Sequence, residues 1–313
     1  MRPEVITFPQ DTQFRAMVRN VTNYPYHWHN ALEIVCVLQG QAAVGVGGGT
    51  HLLREKDILV INPDEIHRID KSSRDNKLLL LQIDSAFYRE LHPDHQYAFI
   101  YCYSPYHEAQ APEKYNKLKG YIADLICELN KKPGKNQEES VRDCLGKMLF
   151  YMAYSFDYLR FGPGGKAFDE KQVKRNKKMY RDILKFSPGK LGLKNLAGEV
   201  GISLYHLSHD IKNKFGLTFQ ELLYHIRGEQ AAKLLLCTDK RIAKISAESG
   251  FSDPKYLIKH FKLNYHCTPS EFRKMYRGDE ETLISQAEYH DYPLSEASKY
   301  LESYIDVKKQ KNR

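Results

Sequence analysis

No run of apolar residues in this 313-residue chain reaches the 18 or so that a membrane-spanning helix needs. Met1–Gln10 lacks the apolar segment of a secretory leader, so neither membrane insertion nor export is expected. Cysteine is sparse and scattered: Cys36, Cys102, Cys127, Cys144, Cys237 and Cys267 include no Cys-x-x-Cys pair. A disulfide framework would be denser in a shorter chain, and reduced thiols in a cytoplasmic protein are the expectation. Tryptophan occurs once, at Trp28. What remains is the composition of an ordinary globular protein, long enough for two domains with their own cores.

Charge is unevenly divided. Residues 166–278 hold 23 Lys and Arg against 11 Asp and Glu, whereas residues 1–165 hold 19 against 20 and residues 279–313 hold 5 against 8. The positive field is thus confined to one stretch, as phosphate binding requires.

That stretch carries two similar patterns. In the second, Ile242–Ser249 has the spacing of a short helix, Gly250 ends it, Asp253 is an N-cap, and Pro254 takes the first position of the next helix. Leu257 and Phe261 then mark an apolar stripe, with Lys255, Lys259 and Lys262 on the remaining surface. In the first, Leu193–Val200 is the leading helix, Gly201 the corner and Ser203 the cap of a helix through Lys212. Capping boxes at Thr218–Glu221 and Thr268–Glu271 open two further helices, the first running to Leu236. Each pattern reads as a helix-turn-helix, whose second helix enters the DNA major groove.

Over about a hundred residues the run from Leu196-Ala197 and Val200-Gly201-Ile202-Ser203, through Ala231-Ala232-Lys233-Leu234-Leu235 and Gly250-Phe251-Ser252-Asp253, to Thr268-Pro269-Ser270-Glu271-Phe272-Arg273 resembles the two-motif DNA-binding domain of AraC-type transcription factors. Ile211, Leu257 and His266 depart from the usual residue types. The resemblance implies a dimeric, effector-responsive regulator that binds double-stranded promoter or operator DNA. On matching positions Tyr205, Ser208 and His209, with Lys255, Tyr256 and Lys259, would read base edges. Lys212, Lys262 and the cap region of Ser203 would hold phosphate. Leu196, Ala197, Leu207, Ile226, Ala231, Leu235, Ile245, Phe251, Phe261 and Phe272 read as core.

Residues 5–100 read as short strands with glycine-rich turns, hence a sandwich or barrel. His27-Trp28-His29-x3-Glu33-x6-Gly40 resembles the first motif of the cupin barrel, and Pro63–His67 a shortened second one. In a continuous strand, residues 27, 29 and 33 share one face. Three readings of His27, His29, Glu33 and His67 stay open: contact with an effector, a pocket wall, or a metal site. No cofactor is assigned. Trp28 could stack on a ligand or pack in the core, and the family resemblance suggests a sugar as effector.

The expected class is α+β: a cupin-like barrel over 1–110, a helical dimerisation layer over 111–160, a linker over 161–170, an all-α domain with two helix-turn-helix motifs over 171–278, and an acidic tail over 279–313. Within the layer, helices are expected over 114–129 and 138–160, and another in the tail over 294–305. The expected function is transcription regulation without catalysis. The rival readings are a metal-dependent cupin enzyme fused to a DNA-binding domain, and a barrel that serves only assembly.

Overall fold

The computed structural model describes residues 4, 6–9, 12–47, 49–91, 100–132, 137–160, 167–185, 192–215, 217–276 and 285–311. The chain divides into two compact units. One is built on Tyr158–Ser285, the other on Val5–Gly45, Thr50–Asp157 and Gln286–Arg313.

The second of these is a six-stranded sheet with helices. Its strands are β1 (Phe14–His27), β2 (Leu32–Val46), β3 (Gly49–Arg54), β4 (Ile58–Ile61), β5 (His67–Ile83) and β6 (Glu288–Tyr292). They run in the order β3-β2-β5-β1-β6, with β4 on β2. The apolar runs at Leu32–Leu38 and Leu78–Ile83 reflect burial of both faces. The short helices α1 (Ser85–Leu91) and α2 (Ser104–His107) follow β5. Leu32, Ile34, Cys36 and Leu38 join Leu79, Leu81 and Ile83 in a core shared with α3 (Pro112–Leu129) and α4 (Gln137–Ser155). Alternation along a strand sends Glu33 and Gln82 to the opposite face, away from those helices. Gly40 has φ of +76°, and a Cβ there would stand 1.8 Å from the Asp75 carbonyl oxygen, so only glycine fits this approach of β2 to β5.

The acidic tail has a place in this unit. β6 pairs antiparallel with β1, through Val18↔Tyr292 to Asn23↔Glu288. After it, α12 (Ser295–Lys311) packs on α3 and buries Ala297 and Leu301 in the shared core. Arg19 donates to Asp291 at 2.7 Å, and Lys77 pairs with Glu296 at 3.1 Å.

The other unit is helical: α5 (Glu170–Lys185), α6 (Leu193–Val200), α7 (Leu204–Phe215), α8 (Phe219–Cys237), α9 (Ile242–Glu248), α10 (Pro254–Tyr265) and α11 (Pro269–Tyr276). α8 packs against α7, α9, α10 and α11 and carries buried residues from Phe219 to Leu236. Its capping box forms: Thr218 Oγ1 accepts from the Glu221 N–H, and Glu221 accepts from the Thr218 N–H at 2.7 Å. Asn176 donates to the Leu159 carbonyl at 3.0 Å, which ties residues 158–160 to α5. The glycine-rich linker at Phe161–Gly165 and the Pro133-Gly134 break lie outside the described residues.

Candidate functional site

Two helices of the helical unit end a tight corner and start on a cap. Gly201 closes α6 in the left-handed region, at φ 69°, and Ser203 Oγ then accepts from the His206 N–H at 3.2 Å as α7 begins. Gly250, at φ 81°, follows α9, and Asp253 accepts from the Lys255 N–H at 2.7 Å as α10 begins. Leu207 and Ile211 bury one stripe of α7, and Leu257 and Phe261 one stripe of α10. What is left outward is Tyr205 (75% exposed), Ser208, His209 and Lys212 on α7, and Lys255, Tyr256, Lys259 and Lys262 on α10. All ten residues expected as core here are buried. On α10, Tyr256 lies in a line of rings in which Tyr224 of α8 stacks on His260 at 3.9 Å. His266 ends α10 at φ 58°, a left-handed turn taken without glycine.

In the sheet unit the four polar residues do come together, by a route other than strand parity. β1 stops at His27 and β2 resumes at Leu32, so residues 28–31 form a corner and the continuous strand is corrected. His27 instead stands directly opposite His67 in the β1–β5 ladder, with ring centroids 4.0 Å apart. The turn before β5 is fastened to the corner, because Asp64 donates its N–H to the His29 carbonyl at 2.8 Å. His29 Nε2 then meets Glu33 Oε2 at 2.8 Å, and His67 Nε2 lies 3.8 Å from the same oxygen. Gln82 donates to Glu33 Oε2 at 2.7 Å and itself accepts from Arg15.

Electrostatics follow burial. Burial, with His67 and His29 adding to it, holds His27 well below the ordinary imidazole value. Burial likewise lowers His67, to about 4, against the pull of Glu33. For Glu33 burial alone would raise the carboxyl, but the His29 hydrogen bond and the neighbouring imidazoles win, and it stays well below the carboxylate range.

Sequence reading placed His27, His29, Glu33 and His67 in one site and missed Gln82 and Arg15. Gln82 is the one polar residue within Leu78–Ile83, which was the available signal. Trp28 is buried at 6% exposure. Three further side chains of β1 lie close by in the sequence: Arg19, Tyr24 and Tyr26. Arg19 lies over the Tyr289 ring at 4.0 Å, Tyr24 stands 4.6 Å from His27, and Tyr26 packs under Arg68 at 5.2 Å.

A sheet domain enclosing a polar cluster stands in the same chain as a pair of helix-turn-helix units. The model of the AraC-like ligand binding domain matches residues 18–140, and that of a helix-turn-helix domain matches residues 196–275. The chain thus carries regions that match both an AraC-like ligand binding domain and a helix-turn-helix domain. An uncharacterized HTH-type transcriptional regulator of Staphylococcus aureus (strain COL) is 25% identical over 286 residues, which is 88% of this chain and 36% of the relative. The transcriptional activator PerA of Escherichia coli O127:H6 is 34% identical over 89 residues, 28% of this chain and 32% of its own. This chain therefore spans little more than a third of the length of the Staphylococcus relative. Among solved structures, ToxT of Vibrio cholerae O395 aligns over 85% of this chain and 99% of its own, at 15% identity and a TM-score of 0.46.

Proposed function

We propose that this chain regulates transcription by binding operator DNA through α7 and α10, and that a small ligand held in the sheet domain sets that affinity. One observation carries the DNA half of the reading: both helices share the α8 scaffold and turn unburied Tyr, His, Ser and Lys side chains outward from a strongly basic unit. Lys255 and Lys259 suit guanine O6 and N7, Tyr205 suits a thymine methyl or a phosphate, and Lys212, Lys262 and the Ser203 cap suit phosphate. A protein acting on genomic DNA in this way would work in the cytoplasm. Enrichment of random-sequence duplexes on the full chain tests the reading, with a motif of two half-sites as the expected result. A failure to enrich any motif at low salt overturns it.

A homodimer is part of the proposal, and its support lies on α4. α3 is covered on one side by α4 and on another by α12. The stripe Asp143, Lys147, Phe150 and Tyr154 on α4 is exposed, with Phe150 at 51% and Tyr154 at 42%. Aromatic residues flanked by charge at helical spacing are what an interface between two copies uses. A sugar, the effector class suggested by the family resemblance, would be held through its hydroxyls by His29, Glu33 and Gln82. Catalysis is not part of this proposal, because the family models that match the chain are a ligand-binding domain and a helix-turn-helix domain.

A further inference from the structure

We propose that a cavity between the sheet and α12 binds the anion of a short-chain carboxylic acid. It lies on the helix-covered face of β2, opposite the face that carries Glu33, so it is separate from the polar cluster and from the ligand proposed there.

The cavity measures about 110 Å³, with β2 and Lys119 of α3 on one side, α12 on the other, and the turn between β3 and β4 at its rim. At about 30 Å³ per water it has the space of three or four waters, or of a carboxylate with roughly two to four carbons.

Lys119 is the reason to expect a ligand. A lysine ammonium carries three N–H donors and accepts nothing. Lys119 is only 2% exposed. One N–H goes to Glu108 Oε1 at 2.5 Å, and the Tyr304 ring lies 5.6 Å from Nζ as a cation–π contact. The other two N–H groups have no acceptor among the described residues, and Lys119 lines the cavity in which one would sit. A charge taken this far out of water is costly unless its hydrogen bonds are met.

The neighbouring groups also donate. The Tyr304 hydroxyl has no hydrogen-bond partner among the described residues. Burial, with Glu108 and Cys36 adding to it, raises its pKa, so it keeps its proton. Burial likewise pushes the Cys36 thiol up to about 12, which leaves a neutral S–H. Tyr300 gives its own proton to Gln39 at 2.9 Å. At the rim, Lys56 holds a second ammonium in a left-handed turn at φ 72°, a conformation that glycine adopts more cheaply. The acceptor beside it, Glu55, takes the Gly40 N–H at 3.0 Å. The cavity therefore offers mainly donors, two of them cationic, and the matching ligand presents only acceptors. Cys36, Leu38 and Leu301 make the rest of the wall apolar, which suits an alkyl tail and disfavours phosphate or sulfate. A carboxylate in this position ties α12 to β2 and α3, and stabilises the sheet unit by mass action.

The test titrates the full chain with sodium propionate at constant ionic strength, followed by calorimetry and by thermal melting. One molecule per chain is expected, with a melting temperature that rises with its concentration. Propionamide has the same shape without the charge and should bind at least tenfold more weakly, as should sodium phosphate. Tyr304→Phe keeps the ring, removes the hydroxyl, and should weaken propionate about tenfold. Lys119→Met combined with Glu108→Gln removes both members of the buried pair and should abolish binding. If the double variant fails to fold, Tyr304→Phe decides. The site is overturned by no saturable binding of propionate, by propionamide or phosphate binding as tightly, or by folded variants that bind propionate as the wild type does.

Discussion

Replacing Asp253 by alanine isolates what holds α10 at its start. Asp253 sits in extended backbone, and its carboxylate accepts from the Lys255 N–H at 2.7 Å, with Pro254 offering no N–H of its own. Alanine removes that acceptor, at a cost of about 1 kcal/mol, and also a negative charge at the positive end of α10, worth ~0.3–1 kcal/mol. The sum is on the order of 1–2 kcal/mol. With a urea slope of about 2 kcal/mol per molar, the midpoint falls by roughly 0.5–1 M. Asp253→Asn keeps an acceptor and should lose only the smaller part. Far-ultraviolet dichroism follows the helical unit, and fluorescence of Trp28, the only tryptophan, follows the sheet unit and should not move. Lys255 and Tyr256 occupy the frayed turn, so Asp253→Ala should also weaken specific DNA binding more than Asp253→Asn does. Equal midpoints and equal DNA affinities for the two variants would refute the capping argument.

Lys259→Ala should cost about 1–3 kcal/mol and relax base preference at one or two positions, whereas Lys212→Ala should weaken all sequences alike and lower the salt slope by about one. Binding across operator variants and salt concentrations checks the division, and identical profiles reject it. Ending the chain at Ser285 removes β6 and α12, uncovers Ala297 and Leu301 contacts in the shared core, and should destabilise the sheet unit by roughly 3–5 kcal/mol, read by Trp28 fluorescence. An unchanged midpoint sinks that prediction. In chelator, acid should destabilise the sheet unit between pH 6.5 and about 4. The folded state holds His67 neutral there while the unfolded chain binds the proton, so stability rises with pH through this window and is lost on the way down, by on the order of 3 kcal/mol from His67 alone. A flat stability profile over that range is the contrary result.

What the sequence disclosed was mostly local. The caps at Asp253, Thr218 and Thr268 act over two or three residues, so their side chains announce them, and the structure forms all three. The buried stripes of α7 and α10 were legible for the same reason. The histidine cluster converges by a route other than the expected strand parity, since its convergence depends on the register that sets His27 opposite His67, forty residues apart. Gln82 joins from the far end of β5 through alternation, which only a known register turns into a contact. The tail was least legible: β6 is Glu-Tyr-His-Asp-Tyr, almost entirely exposed, with no alternating apolar face. Its strand character comes from the free edge of β1 that it covers.

Because β6 and α12 belong to the sheet unit, the DNA-binding segment is an insertion, entered after Asp157 and left before Gln286. A single protease cut in either connector would leave the two units covalently joined, and release of a free DNA-binding fragment needs two cuts. Before the second cut the fragment would run at full mass under native conditions and split only on denaturation.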